Sequence, residues 1–578
     1  MAGAGVLAAG SAAMLAGCGD DDDDGGGATT AATTAATAAP QATPQSGSGS
    51  SGAAGKRGGT IKTTKAAQDT GLDPAITVTN PLHPAKAFNH ALVYQLSSNS
   101  YFLDGAVSFE QVDATTMRFK LRPGMKFNPE AENGRALTSE DFAFSYGRFP
   151  TTLKQFASEV NSIQWAWMDK FETPDASTFV IKSKAPTASA IALMGSSAYG
   201  VVSRALAEAN GGNLKDVKNP GAGPYMMTRR DNQGTRYERN PNYYKHTPAT
   251  GTFIEDGPYV DAWEETITQD PSRIESAFLA GDTDFLALTI DKLKADELKK
   301  QKNVVVYTAT GNANLPITLD AEKWMPHPKL REAFSLAIDR EKYIKTILLG
   351  DGQYGSQVGP LFDSVLSQEE LKNLFKFDAA KAKQLWTEGK GNDVFPNGLR
   401  TISATFSPAN QTVHDFIRKE LESNLGIKVS IKPADLAGYV AVATARQKEW
   451  EYFISSEGSI TTIPDYNALT FWAPSGYGSI FGNMRLDSPI PETKAYAEKA
   501  QDFYNKQAAE IDNTKRKAIL REAQLYFSQN FGGAIPLPVE RTNYGAYRDR
   551  IKNYPEKDAF GGNSANGLYR VHNLFINA

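Results

Sequence analysis

Read for its hydrophobic and polar periods, the chain is a succession of short strands and helices that do not alternate strictly. Gly59 to Thr63 alternates as a strand, and Met117 to Arg122 repeats at period two before Pro123-Gly124 makes a turn. Thr138-Ser139-Glu140-Asp141 is a helix start, with Thr138 placed to cap and an acid three residues on. Asp270-Pro271 opens a helix whose inner face is Ile274, Ala277 and Phe278 and whose stop is Gly281. Pro328 opens another, which the apolar spacing carries through Leu330, Phe334, Ala337, Ile338 and Ile344 to Gly350. Asp378 caps a helix with Ala382, Leu385 and Trp386 on one face and Gly389 at its end. A helix from Val413 to Asn424 stops at Gly426, and a strand follows from Ile427 to Ile431. The pattern is mixed α/β or α+β, with no short internal repeat.

Two stretches fall outside this pattern. Residues 19 to about 55 are Asp, Gly, Ala, Thr, Pro and Ser with almost no large apolar side chain. Such a segment cannot bury enough surface to offset its ordering entropy, so it reads as a flexible spacer. Its aspartate run, Asp20 to Asp24, repels itself into an extended state. Before the spacer, small and apolar residues from Ala2 to Gly17 close on Leu15-Ala16-Gly17-Cys18. An apolar run ending in small residues marks an export signal, and a cysteine at its end looks like a bacterial lipobox, whose thiol is acylated. The alternative, a buried cysteine in an N-terminal helix, conflicts with the polyaspartate and glycine that follow. No Lys or Arg precedes the apolar run, so the basic part of the signal is expected upstream of Met1.

Composition narrows the picture. The chain has 578 residues, enough for two to four domains, with 41% hydrophobic and 22% charged residues. Its net charge of -4 gives none of the basic balance that nucleic-acid binding needs. With Cys18 as its single cysteine it has no internal disulfide, so core burial must hold the fold. After the first segment no stretch is apolar over the about 20 residues that cross a bilayer.

Catalytic signatures are missing from the sequence after the spacer: it contains no G-x-S-x-G, H-E-x-x-H, P-loop or calcium-loop pattern. The six histidines, His83, His90, His246, His327, His414 and His572, do not cluster in sequence. Gly221-Ala222-Gly223-Pro224 is a poor phosphate cradle, since Pro224 lacks an N–H and Tyr225-Met226-Met227 reads as strand. No enzyme activity, metal or other cofactor is expected.

The distinctive feature is a series of segments in one order. They begin with Leu72-Asp73-Pro74, Phe119 to Phe127, Leu137 to Ser145 and Gly221-Ala222-Gly223-Pro224-Tyr225. Arg239-Asn240-Pro241-Asn242-Tyr243-Tyr244, Gly281-Asp282-Thr283-Asp284-Phe285 and Leu330 to Arg340 follow. Phe377 to Lys383 and Ala534-Ile535-Pro536-Leu537 complete the series. Together they resemble the peptide/nickel-type extracytoplasmic solute-binding proteins, the ligand receptors of ABC importers, from about Gly58 to the C-terminus. Each segment also has a plain structural reading: Pro123-Gly124 a hairpin turn, Thr138 a cap, Asp339-Arg340 a local ion pair worth little if exposed.

The resemblance implies an α/β, two-lobed periplasmic-binding-protein fold with hinge strands and an additional domain packed on the first lobe. On that pattern residues 1–18 are the lipoprotein signal, 19–55 the spacer, and lobe I is built from 56–75, 221–312 and 534–578. The extra domain is 76–220, lobe III is 313–533, and a small ligand, foremost a short peptide, sits between lobes I and III. The implied partners are permease subunits with their ATPases, contacted by a monomer that meets the membrane only through its lipid anchor, on the extracytoplasmic side. In the family's peptide-binding branch an acidic residue in a D-Y-N-type segment pairs with the ligand's α-amino group. Asp465 in Ile463-Pro464-Asp465-Tyr466-Asn467 matches it. Asp465 is equally suited to cap the next turn, and Ser455 to Thr462 before it is longer than the pattern and lacks its tryptophan. Tyr466 and Asn467 of that segment and Trp472 are further ligand-binding candidates, and the aromatics Tyr466, Phe471, Trp472 and Tyr477 stand as cleft wall or lobe core. Arg446 lies where some relatives place an arginine facing a carboxylate, or is simply on the surface. An exported hydrolase using the same cleft, a membrane-receptor sensor, and a receptor for oligosaccharides, opines or metal chelates remain the other readings.

Overall fold

The computed structural model describes residues 56–65, 72–75, 93–97, 100–103, 105–156, 167–194, 200–243, 258–268, 270–288, 290–311, 315–360, 364–405, 408–435, 438–439, 442, 445, 448–454, 473–474, 482–532, 534–554 and 574–577. Among the described residues the larger hydrophobic clusters fall in three regions.

The first core forms around a four-stranded sheet in the order Thr60–Lys65, Ala262–Ile267, Gly234–Arg239, Tyr225–Arg230. The earliest strand runs parallel to a partner two hundred residues later, with Thr60 opposite Ala262. Ile61, Tyr225, Met227, Tyr237 and Trp263 point inward and meet Tyr307 and Tyr547. The helix Pro271–Ala280 forms as its sequence dictates. Asp270 accepts hydrogen bonds from the N–H groups of Ser272 and Arg273, Ile274 and Phe278 are buried, and Gly281 closes it at φ 84°.

The second core lies under an antiparallel sheet of Ala106–Asp113, Thr116–Leu121, Thr178–Ser183 and Met168–Asp175. Along Thr116–Leu121 the residues Met117, Phe119 and Leu121 are buried while Arg118 and Lys120 face water, so period two sets the inner face. Gly124 supplies the positive φ of 82° for the following turn. The helix Ser139–Phe156 covers the sheet with Phe142, Tyr146 and Phe149, and Tyr146 and Phe142 pack on Phe179. At its start the Asp141 carboxylate reaches back to the Thr138 N–H at 2.8 Å, the acidic half of a capping box.

The third core is the largest. Leu399–Ala404 and Val429–Ala434 form a parallel pair joined by the helix Pro408–Leu425. Beside them Pro316–Leu319 is flanked antiparallel by Tyr452–Ile454 and Ala534–Pro536. Helices Pro328–Leu336 and Ala379–Glu388 pack on this layer through Leu330, Phe334, Leu385 and Trp386. A further layer, Pro491–Ala509 against Asn513–Asn530, buries Phe503, Leu520 and Phe527 with Ala321 and Met325.

Three local expectations change. The helix opened by Pro328 ends at Leu336, and a new one, Arg340–Thr346, begins with Asp339 as its N-cap. Apolar spacing runs through the break because Ala337 and Ile338, between the two helices, are buried. Arg340 does not pair locally with Asp339. It is buried and donates to the carbonyls of Ser335, Ile338, Phe375 and Pro536. The helix expected from Val413 starts earlier, at Pro408, and the strand after it occupies Val429–Ala434.

Candidate functional site

The chain passes between the first and third cores twice. Strand Val304–Thr310 pairs antiparallel with Thr542–Arg548 on the first core, and Pro316–Leu319 pairs with Ala534–Pro536 on the third. Between them the two crossings stay bonded: Gly311 N–H to the Arg541 carbonyl at 2.8 Å, Leu537 N–H to the Leu315 carbonyl at 2.9 Å. Gly311 is required by proximity, because a Cβ there would lie 1.9 Å from the Glu540 carbonyl oxygen. Asp351 braces the same region. Its carboxylate accepts from the Tyr544 hydroxyl at 2.6 Å and the Thr542 hydroxyl at 3.3 Å, and its carbonyl from Arg541 N–H at 3.1 Å. Burial, reinforced by the Asp351 carboxylate, pushes the Tyr544 phenol up to about 12.

On the third core, the carboxyl ends of Leu399–Ala404 and Val429–Ala434 share one edge because the strands are parallel. Ile454, the last residue of its strand, reaches the same edge. Asn410 accepts from Ala404 N–H at 2.9 Å and donates to the Ile454 carbonyl at 3.4 Å. The Tyr439 hydroxyl donates to that carbonyl at 3.0 Å. The Tyr439 ring lies tilted against Phe453, which packs on Trp450, so an aromatic cluster fixes where the chain leaves the sheet. In open α/β sheets ligands bind outside the carboxyl ends of the strands. In sequence, the stretch after Ile454 carries Asp465, Tyr466, Asn467 and Trp472, and Arg446 precedes it. Asp465, Tyr466, Asn467, Trp472 and Arg446, with Phe471 and Tyr477, lie outside the described residues, as does Cys18.

The ordered sequence segments resolve into buried polar anchors, a role that sequence reading did not assign. Asp73 is fully buried and accepts from Arg148 at 2.6 and 3.2 Å and from the N–H groups of Leu214 and Ala75 at 2.9 Å. It thereby fastens the first segment to the helix of the second core. Asp284, also fully buried, accepts from Lys62 N–H and from the Arg550 guanidinium, both at 2.8 Å, joining three distant parts of the first core. Asn128 donates to the carbonyls of Asn219 and Gly221 at 2.7 and 2.6 Å. The usable signal was a carboxylate set among apolar and turn residues, as in Leu72-Asp73-Pro74, where a surface charge has no reason to sit.

Among the described residues no three His, Cys, Asp or Glu side chains gather as a metal site, and no helix is long and apolar enough to cross a membrane. His414 is buried beside the Thr401 hydroxyl, and burial pushes its imidazole down to about 3, which suits a core residue.

A family model described as the middle region of bacterial extracellular solute-binding proteins, family 5, matches residues 104–479. The oligopeptide-binding protein AppA of Bacillus subtilis is 22% identical over 477 residues, covering 77% of this chain and 80% of that protein. Among solved structures, the periplasmic binding protein DppA from Helicobacter pylori, in complex with the peptide STSA, superposes with a TM-score of 0.69 at 19% identity, over 90% of this chain and 99% of its own. AgaA from A. tumefaciens R10, in complex with agropinic acid, gives the same TM-score and identity over the same shares. These likenesses place the chain in a two-lobed binding-protein fold.

Proposed function

Because the chain belongs to the bacterial extracellular solute-binding proteins of family 5, we propose that it is the ligand receptor of an ABC importer and that its ligand is a short peptide. Lobe I comprises residues 56–75, 221–312 and 534–578, the extra domain 76–220 and lobe III 313–533. The ligand lies between lobes I and III, and closure about the Gly311 and Leu537 crossings buries it. The observation that most supports this is the double crossing itself: two adjacent, mutually bonded backbone strands leave rotation as the natural relative motion of the lobes. A ligand need only prefer the closed state, each tenfold preference being worth about 1.4 kcal/mol of closure.

Asp465 takes the ligand's ammonium group, with Tyr466, Asn467 and Trp472 lining the cleft and Arg446 facing a ligand carboxylate. What supports the role of Asp465 is its place in Ile463-Pro464-Asp465-Tyr466-Asn467, the segment that resembles the acidic D-Y-N-type segment of the peptide-binding branch. Cys18, acylated in the mature protein, anchors the receptor on the extracytoplasmic side, and residues 19–55 hold the body off the membrane. The receptor acts as a monomer that hands its ligand to permease subunits driven by ATPases.

The test is native mass spectrometry of the purified chain, followed by calorimetry with the ligand it identifies. A peptide is expected, and Asp465→Asn should cost on the order of 2–5 kcal/mol of binding. A ligand without a cationic group, or equal affinity in the variant, overturns the peptide reading. An opine is the second reading. The equal likeness to AgaA with agropinic acid favours it, as does the departure at Ser455 to Thr462.

A further inference from the structure

Gly352–Gln353 is a short strand paired with Val539–Glu540, and the residues that follow it turn away toward two helices. Gln368, the first residue of the helix Gln368–Leu374, holds the Tyr354 backbone from both sides. Its Oε1 accepts from Tyr354 N–H at 2.8 Å and its Nε2 donates to the Tyr354 carbonyl at 3.1 Å. Tyr354, Leu366, Leu371 and Phe375 form a small apolar cluster of their own there, with Leu525 of Asn513–Asn530 packed against it. A cavity of about 330 Å³ opens over this cluster, and Tyr354, Val365 and Leu366 supply part of its wall. That is the lower end of the range in which small-molecule pockets fall, about 300–1,000 Å³. Every residue lining it lies between Gln353 and Arg521, inside the stretch 313–533, so it is a separate space from a cleft between lobes I and III.

The polar groups around this cavity divide into those already used and those left over. Its one carboxylate is occupied: Glu370 accepts from the N–H and the hydroxyl of Ser367, both at 2.8 Å, and from Arg521 Nη2 at 2.7 Å. The Ser356 hydroxyl donates to the Val358 carbonyl. What is left over donates. Gln353 Nε2 is buried with no hydrogen-bond partner. Arg521 uses Nη2 alone, on Glu370, which leaves its Nε and Nη1 hydrogens unspent. A buried amide donor without an acceptor is costly, and a ligand that brings the acceptor recovers that cost. A guanidinium and an amide donor beside an apolar wall match a carboxylate on a short hydrocarbon. Its charge meets Arg521 in a charge-assisted hydrogen bond, its second oxygen meets Gln353, and its tail lies on Val365 and Leu366.

We propose that this cavity is a second binding site, apart from the cleft, for a small organic carboxylate held by Arg521 and Gln353. Saturation-transfer difference NMR of the full chain, freed of any co-purified ligand, tests it by titration with butyrate, succinate and benzoate. Butyramide and benzamide serve as uncharged isosteres. At least one carboxylate should bind, and its amide should not. Gln353→Leu and Arg521→Gln should each raise the Kd about tenfold, the loss of one such hydrogen bond. Glu370→Gln keeps a capping side chain at its position and frees the guanidinium, so it should lower the Kd. Circular dichroism guards against misfolding in Gln353→Leu. Arg521 has a side chain 41% exposed, so Arg521→Gln carries the test should that variant not fold. Binding by none of the three carboxylates overturns the site, and so does an amide that binds as well as its carboxylate. A Kd unchanged in both Gln353→Leu and Arg521→Gln overturns it too, because the carboxylate then sits elsewhere, the cleft included. Failure of the peptide reading would show in the ligand that co-purifies and leave these titrations untouched.

Discussion

Asp73 and Arg148 show how single residues join parts of the chain far apart in sequence. The carboxylate is saturated by two guanidinium contacts and two backbone N–H groups in a site without water access. Asp73→Ala leaves Arg148 as a buried cation without its ion partner, and such losses cost about 3–5 kcal/mol. The expected outcome is a clearly lower urea midpoint for the transition that exposes the second core, followed by tryptophan and far-ultraviolet signals together. A variant as stable as the parent would mean that water reaches Arg148. Arg340 follows the same logic with carbonyl partners: burial lowers it to about 10, so it stays charged at neutral pH and needs every acceptor around it. These roles were not legible beforehand, although the residues were. Asp73, Asp284 and Arg340 stood in the ordered segments, but their partners lie 75, 266 and up to 196 positions away. Only the folded chain brings such pairs together.

Among elements, local chemistry was readable where a cap or a glycine punctuated it. Asp270 with Gly281, and Asp378 with Gly389, bound their helices as expected because those signals act within one turn. The break at Asp339 was hidden because both helices present apolar residues to one core, and periodicity does not see a change of axis. The start at Pro408 was missed for a related reason: its first turn, Pro408-Ala409-Asn410-Gln411, carries little apolar signal, and Asn410 is buried for its hydrogen bonds. One element also carries a pH response. His414 on helix Pro408–Leu425 is held neutral, well below the ordinary histidine value. Above about pH 6.5 it is neutral folded and unfolded, and it contributes no pH dependence. Below that, the unfolded chain binds the proton first, so stability falls as pH drops toward about 3, by roughly 1 kcal/mol per pH unit. His414→Gln should flatten the melting temperature between pH 6.5 and 4.5 relative to the parent. Parallel curves would mean that the imidazole is protonated in the folded state. At the crossings, Gly311→Ala drives a Cβ against the Glu540 carbonyl. It should slow ligand-induced closure in stopped-flow tryptophan fluorescence while leaving the secondary structure intact, and unaltered closure rates would locate the moving joint elsewhere.

For the whole molecule, sequence reading reached the two-lobed fold through the order of its segments, not through any one of them. The carboxyl edge of the third core was not legible, since it depends on Tyr452–Ile454 ending beside Ala404 and Ala434, a matter of sheet assembly. Asp465, Tyr466, Asn467, Trp472 and Arg446 belong to this scale as well, since a cleft exists only between lobes. Their roles rest on the resemblance. Anchoring by Cys18 belongs to this scale too. Cys18→Ser, expressed behind a complete export signal, should leave the body in the soluble fraction, whereas the parent should carry a lipid mass and sediment with membranes. Capture of a solute by lobe closure is tested most directly by small-angle X-ray scattering of the ligand-free protein, with and without a saturating tripeptide library. The expected result is a smaller radius of gyration on binding, with Asp465→Asn unresponsive at the same concentration. Bound tripeptide, confirmed by native mass spectrometry, with no change in the radius of gyration would contradict it.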